Sequence, residues 1–177
     1  MAALELLERD GVLAGLNLRE VADVAGVTRG LVYHHFGTRQ SLLRSALERF
    51  ARNRRATVIR RGEIPGPERI RTFVPGLVDD PVSVRILALL ILDGAEEFVA
   101  LPYAKETRAN LERDVDAGIL TGDVDPDALQ AGVLAAAYGW ALYRKAFASS
   151  LGREASELDA DVLEMIERMW QTRHSSK

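Results

Sequence analysis

The chain has 177 residues, enough for one large domain or two small ones, and its lack of cysteine excludes disulfide bonds and cysteine-ligated zinc sites. The formal net charge of −3 hides an asymmetry, because residues 1–62 carry 11 basic and 6 acidic side chains whereas residues 63–177 carry 12 and 20. A basic N-terminal third beside an acidic remainder suits a protein that touches a polyanion at one end only.

The first two predicted elements are short helices joined by a tight turn. Apolar residues recur at i, i+3, i+4 and i+7 from Leu18, which indicates a helix with one buried face. Gly26 follows at a sharp turn, where glycine is suited because it tolerates a positive φ. Thr28 can cap the second helix, whose inward face is formed by Val32 and Phe36. The residues left facing outward are Arg29, Gly30, Leu31, Tyr33 and His34.

A longer helix is predicted over residues 39–61, with Thr38 as its cap. The segment GEIPGP at residues 62–67 ends that helix. Further helices are predicted over residues 68–78, where Pro75 and Gly76 disturb the pattern, then over residues 80–100 and up to residue 117. The apolar stripe of the long helix consists of Leu42, Leu43, Ala46, Leu47 and Phe50.

The last two predicted helices are the most apolar part of the C-terminal half. Asp125 and Pro126 begin a helix that runs to Ser149 and is apolar on nearly every side. A final helix is predicted over residues 157–172. Alternation with a period of two never persists beyond a few residues, so the sequence predicts an all-α fold.

The stretch from Leu18 to Leu42 resembles the helix-turn-helix of the TetR family of transcriptional regulators. It follows the family pattern of L-R-E-V-A, A-G-V-[ST] and Y-x-[HY]-F with few exceptions. Residues 2–11 resemble the second half of the family's first helix, so we expect the given sequence to begin inside that helix, without the basic arm that many members carry. Three explanations are open: the start is misassigned, the sequence is trimmed, or this member does without arm contacts. The resemblance implies about nine helices, with a DNA-binding domain over residues 1–45 and an effector-binding and dimerisation domain over residues 46–177.

The resemblance also implies a role for each DNA-facing residue. Thr28 and Tyr33 would reach phosphates, and Arg29 would face bases. Arg39 would bind the DNA backbone at the start of the long helix, which agrees with the affinity of arginine and of helix N-termini for phosphate. Leu31 departs from the family, where Thr, Ser or Ala is common, and could contact a thymine methyl. The predicted DNA-binding set is Thr28, Arg29, Gly30, Leu31, Tyr33, His34 and Arg39.

The two C-terminal helices carry the prediction of a homodimer. Their apolar surface is too large for peripheral helices of a monomer to leave exposed. In the TetR family these helices pair with their symmetry mates as a four-helix bundle, and the alternative is that both are buried in the monomer core. The predicted interface consists of Ala137, Gly139, Met165, Ile166, Met169 and Trp170.

The middle helices are expected to enclose a pocket for a small-molecule effector, since such pockets are apolar with a few placed polar groups. The alternative for the acidic candidates is a plain surface charge. The candidate residues are Asp93, Glu96, Phe98, Tyr103 and Trp140.

Other functional classes have little support in the sequence. The three histidines lack metal-ligand spacing with a carboxylate, and no glycine-rich loop follows a strand, so we expect no catalytic residue, metal or cofactor. The start does not resemble a secretion signal, and the longest apolar run, residues 86–92, is too short to span a membrane. We therefore expect a soluble, cytoplasmic protein.

These observations predict a homodimeric, ligand-responsive transcriptional regulator that binds a double-stranded DNA operator. We expect a repressor that a small molecule releases from the operator. The alternative is a helical small-molecule-binding or interaction protein whose helix-turn-helix has lost DNA binding. Salt-dependent binding to DNA would discriminate between the two.

Overall fold

The computed structural model describes Leu6 and residues 17–96, 98–120 and 125–169, with only the backbone of Arg61. This part of the chain is entirely helical, as expected from the sequence. No helix in it is both long and apolar enough to cross a membrane. The eight helices are α1 (Leu18–Ala25), α2 (Arg29–Phe36), α3 (Arg39–Arg61), α4 (Gly66–Asp79), α5 (Val82–Leu92), α6 (Ala104–Asp116), α7 (Pro126–Ser150) and α8 (Ala155–Arg168).

The first of two compact units is built from two separate stretches of sequence. It contains Met1–Arg54 together with Val82–Ala100, so α1, α2, the first part of α3 and α5 pack together. α5 has a nearly uninterrupted apolar sequence and can therefore be covered on most sides. The core residues of this unit are Leu6, Leu18, Val21, Ala22, Val32, Leu42, Leu43, Val82, Ile86, Leu89 and Leu90.

The second unit consists of Arg55–Pro81 and Leu101–Lys177. In it α7 packs against α4, α6 and α8, while α4 also packs against α6 and α8. α3 enters this unit with its last turns, without a break in the helix. The apolar residues buried here include Ile70, Val74, Leu77, Leu111, Leu129, Val133, Ala137, Trp140 and Ile166.

A buried ion pair in the second unit joins Arg69 of α4 to Asp114 of α6. Arg69 Nη1 also donates to the carbonyl oxygen of Ile64 at 2.7 Å, and Arg113 Nη2 donates to that of Gly62 at 2.6 Å. Two guanidinium groups thus bind two carbonyl groups of the turn that follows α3. These contacts fix the point at which α3 ends.

α5 is shorter than the predicted helix over residues 80–100, because it ends at Leu92. Gly94 takes the left-handed conformation with φ 68°, which a glycine adopts at little cost. Its N–H bonds to the carbonyl of Ile91 at 3.1 Å, and the N–H of Ala95 bonds to that of Leu90 at 2.9 Å. This is the Schellman arrangement that terminates helices, so the prediction of a helix to residue 100 was wrong.

α4 is more regular than the sequence predicts, because it continues through Pro75 as one helix of 14 residues. An interior proline costs a helix about 3 kcal/mol, since it removes a hydrogen bond and clashes with the preceding turn. Ile70, Val74 and Leu77 are buried on either side of the proline along the chain. Their burial offsets the local penalty and keeps the helix continuous.

Candidate nucleic-acid interface

The turn between α1 and α2 has the geometry that its sequence predicts. Gly26 has φ 66°, and its N–H bonds to carbonyl groups at the end of α1. Thr28 Oγ1 accepts the N–H of Leu31 at 3.4 Å and so caps α2. Asn17, which sequence reasoning missed, caps α1 in the same way by accepting the N–H of Arg19 at 2.9 Å. In each helix of the motif one N–H of the first turn is therefore satisfied by a side-chain cap, and the other N–H groups of that turn stay without an intrahelical acceptor.

α2 presents one buried face and one exposed face. Val32 is buried in the first unit and Phe36 packs against its core. Leu31 and Tyr33 remain 55% and 50% exposed, although both are large and carry apolar surface. The whole set predicted to face DNA on this helix is exposed: Arg29, Gly30, Leu31, Tyr33 and His34. An exposed leucine and tyrosine beside an arginine suit a surface that another molecule covers.

The two arginines predicted to contact DNA each face a carboxylate. Arg29 Nη2 donates to Asp23 Oδ2 at 3.2 Å, between the two helices of the motif. Arg39 Nη1 lies 3.7 Å from Oδ2 of Asp93, the residue after α5. Arg39 Nε is buried and has no hydrogen-bond partner within the described part of the chain. Neither pair could be predicted from sequence patterns, because the aspartates lie 6 and 54 positions from their arginines.

The remainder of α3 is strongly basic. Beyond Arg39 it contains seven arginines and a single acidic residue, Glu48. Arg52 pairs with Glu48 at 3.6 Å on an exposed face, and the guanidinium of Arg54 lies 4.5 Å from the ring centroid of Phe50. These contacts occupy two arginines without cancelling the excess positive charge. The helix therefore favours the approach of a polyanion to the first unit.

The candidate effector residues divide between the two units. In the first unit Asp93 pairs with Arg39, Phe98 packs against the core and Glu96 is exposed. In the second unit Trp140 is buried and its Nε1 donates to Asp159 Oδ1 at 3.0 Å. Burial raises the pKa of Tyr103, an effect that nearby Arg55 opposes. Burial also raises the pKa of Tyr138, so both phenols stay protonated at neutral pH.

The residues predicted for a dimer interface differ in how far their side chains are buried. Ala137 and Ile166 are buried inside the subunit, and Gly139 is partly buried. Met165 is 67% exposed and Met169 is also exposed, whereas Trp170 lies outside the described residues. The surface additionally holds apolar side chains that the sequence prediction did not include: Tyr143, Phe147 and Leu151. Tyr143 and Phe147 stack with their ring centroids 5.6 Å apart.

We searched the described residues for a metal site as well. No group of three or more His, Cys, Asp or Glu side chains there is placed to hold a metal ion. His35 packs edge-on against Phe36, with ring centroids 4.6 Å apart. The functional surface with the clearest chemistry is therefore the exposed face of α2 and the start of α3.

Comparison with known proteins points to one family. A family model described as bacterial regulatory proteins of the tetR family matches residues 1–46. A solved structure described as a TetR-family transcriptional regulator from Rhodococcus sp. superposes with a TM-score of 0.64 at 19% identity, covering 96% of this chain and 94% of that chain.

Two further solved structures share the fold. One is a gamma-butyrolactone receptor described as ArpA-like, with a TM-score of 0.56 at 21% identity over 97% of this chain and 94% of its own. The other is Thermus thermophilus FadR, a TetR-family repressor solved with lauroyl-CoA, with a TM-score of 0.51 at 20% identity over 99% of this chain and 95% of its own. No match was found among curated proteins. Residues 1–46 thus match the tetR family of bacterial regulatory proteins, and the chain shares its helical fold with these solved structures.

Proposed function

We propose that this protein is a homodimeric transcriptional repressor that binds double-stranded DNA and releases it when a small molecule binds. The observation that carries the proposal is the exposed face of α2, which follows a glycine turn and an N-cap within the segment that matches the family model. A second helix presented in this way can enter the major groove and contact base edges with its first residues. The cytoplasm is the compartment in which such a protein would meet its operator.

The proposed contacts divide between the DNA backbone and the bases. Thr28 and Tyr33 bind phosphates, because a capped helix N-terminus and an exposed phenol both donate to anions. Arg29 and Leu31 face base edges, where arginine recognises guanine and an alkyl side chain can meet a thymine methyl. Gly30 has no atom within 4 Å of the position that a Cβ would occupy, so it leaves room for the DNA to approach. His34 completes this face, and Arg39 binds the backbone.

We further propose that the dimer forms through exposed apolar side chains of α7, α8 and the residue that follows each of them. The contributing residues are Tyr143, Phe147, Leu151, Met165 and Met169. A stable interface buries on the order of 800 Å² per partner and places aromatic anchors near its centre, a role that the stacked Tyr143 and Phe147 fit. Two DNA-binding heads could then reach successive major grooves about 34–36 Å apart.

Release by a small molecule is supported by proteins of the same fold. One neighbour is a gamma-butyrolactone receptor, and another was solved with lauroyl-CoA. In our proposal the effector shifts α3, which carries residues of both units, and so changes the separation of the two recognition helices. Asp93, Glu96, Phe98, Tyr103 and Trp140 remain the candidate effector residues.

Removing Arg39 tests the DNA-binding proposal. Arg39→Ala is expected to weaken binding to a duplex selected by the wild-type protein from random DNA. It should also lower the slope of log affinity against log salt by about one unit, because one phosphate contact is lost. Arg52→Ala is the matched control, since it removes the same charge from an exposed pair on α3. An unchanged slope in Arg39→Ala would contradict the contact, and absence of salt-dependent binding by the wild type would favour a protein that has lost DNA binding.

Sequence preference should depend on Leu31 rather than on the phosphate contacts. Leu31→Thr is expected to change the preferred base at one position per half-site, by about 1–3 kcal/mol, because a methyl contact is exchanged for a hydroxyl. Tyr33→Phe is the comparison, since it should lower affinity without changing the selected sequence. Selection from random DNA measures both effects, and identical selected sequences for Leu31→Thr and the wild type would show that Leu31 does not face the bases.

A further inference from the structure

The start of α3 and the end of α5 are joined by two adjacent side chains. Gln40 Nε2 donates to the backbone carbonyl oxygen of Asp93 at 2.8 Å. Arg39 Nη1 lies 3.7 Å from Asp93 Oδ2, and the two side chains are 34% and 30% exposed. The residue proposed to bind the DNA backbone is therefore already next to a carboxylate, which is contributed by a distant segment of the same unit.

The position of Asp93 is set by the way α5 ends. Its own N–H bonds to the carbonyl of Leu89 at 2.8 Å, and Gly94 turns the chain immediately afterwards. Ala95 and Phe98 then pack against the core of the first unit. The backbone of Asp93 is consequently held by hydrogen bonds and by packing of the residues that follow it, so its carboxylate stays within reach of Arg39.

The guanidinium of Arg39 is only partly paired among the described residues. It is the first residue of α3, where the helix dipole is unfavourable to a cation and favourable to a phosphate. Its Nε is buried without an acceptor among the described residues, and the distance of 3.7 Å to Asp93 is longer than a charge-assisted hydrogen bond. Asp93 therefore satisfies this guanidinium only in part, and a phosphate at the same helix end would offer a stronger partner.

We infer that Asp93 competes with the DNA backbone for Arg39 and thereby lowers the affinity of the free protein for DNA. This inference rests on the proposed function, in which Arg39 contacts a phosphate. It assigns a regulatory role to the end of α5 and the residues 93–96 that follow it, because any displacement there changes how strongly Asp93 holds Arg39. Glu96, a candidate effector residue, is one of these residues.

Asp93→Asn tests the competition while preserving most of the contact. The substitution removes the charge but keeps the backbone carbonyl that Gln40 binds. Glu48→Gln is the matched control, because it removes one carboxylate charge from the same unit and frees Arg52, an arginine with no proposed DNA contact. Both substitutions raise the general attraction to DNA equally, so the difference between them reports on Arg39.

The experiment measures binding of each full-length variant to a fluorescein-labelled duplex selected by the wild-type protein. Asp93→Asn is expected to bind about two- to fivefold more tightly than Glu48→Gln, the range set by partly exposed ion pairs. The difference should vanish when both changes are made in an Arg39→Ala background. Thermal unfolding followed by circular dichroism checks that each variant keeps the fold.

Three results would overturn the competition. Equal affinities of Asp93→Asn and Glu48→Gln would show that Asp93 does not restrain Arg39. Weaker binding by Asp93→Asn would mean that the carboxylate positions Arg39 for DNA, and a difference that persists with Arg39→Ala would place the effect elsewhere. In each of these cases the wild type still binds DNA and the proposed function stands, whereas a wild type that binds no duplex in a salt-dependent way removes both.

Discussion

Replacing Ile166 by aspartate is expected to unfold the second unit. Ile166 is only 3% exposed on α8, which packs against α4 and α7. The substitution removes buried apolar contacts worth about 2–5 kcal/mol and places a charged carboxylate at a buried position. We therefore expect a loss of at least about 3 kcal/mol in the free energy of unfolding, measured by urea denaturation followed by circular dichroism.

Met165 provides the matched control for Ile166 and a test of the dimer. It is the neighbouring residue on α8 but is 67% exposed, so Met165→Asp should leave the fold of the subunit intact. If the apolar face of α7 and α8 is the dimer interface, this variant should dissociate into folded monomers at concentrations where the wild type is dimeric. Light scattering gives the mass, and DNA binding should fall with dimerisation because two heads are needed for successive grooves.

The predictions for these two substitutions can be contradicted separately. An Ile166→Asp protein with wild-type unfolding would mean that α8 does not pack as described. A Met165→Asp protein that remains a dimer would place the interface on another surface of the subunit. A wild-type protein that is monomeric at micromolar concentration would remove the dimer and the two-groove mechanism together.

The second large effect is expected at the buried ion pair of the second unit. Asp114→Ala leaves the guanidinium of Arg69 buried without its carboxylate, and breaking such a pair costs about 3–5 kcal/mol. Because Arg69 also binds the carbonyl of Ile64, the turn that ends α3 should loosen. Thermal unfolding measures the first effect, and hydrogen exchange of amides at the end of α3 measures the second.

An exposed ion pair supplies the comparison for Asp114. Glu48→Ala breaks a pair in which both side chains are more than half exposed, and pairs of that kind contribute about 0–1 kcal/mol. The two substitutions remove the same charge from pairs that differ in burial. Similar losses of stability would show that the contact between Arg69 and Asp114 is hydrated and not a buried one.

Sequence reasoning succeeded where the determinants are local. Gly26 and Thr28 define the turn and the cap within a few residues of the helices that they delimit, so their roles could be predicted. Gly94 is a local signal as well, since a glycine after an apolar helix commonly terminates it. The sequence prediction nevertheless continued the helix past this glycine, to residue 100.

The parts that could not be predicted depend on contacts between distant segments. The packing of α5 with the helix-turn-helix and the pairing of Asp93 with Arg39 bring together residues about fifty positions apart. Periodicity gives the buried face of a helix but does not name the helix that covers it. For the same reason the apolar stripe of α8 could not be divided in advance into Ile166, which faces the subunit core, and Met165, which faces outward.

The discontinuous first unit has a consequence for building hybrid regulators. Exchanging DNA-binding heads between proteins is usually planned as a cut at one point of the chain, after the helix-turn-helix. In this protein such a cut would leave behind Val82, Ile86, Leu89 and Leu90, which complete the core around Leu42 and Leu43. The transplanted head would expose that apolar surface and tend to aggregate. The portable module is instead a pair of segments, Met1–Arg54 and Val82–Ala100, which have to be moved together.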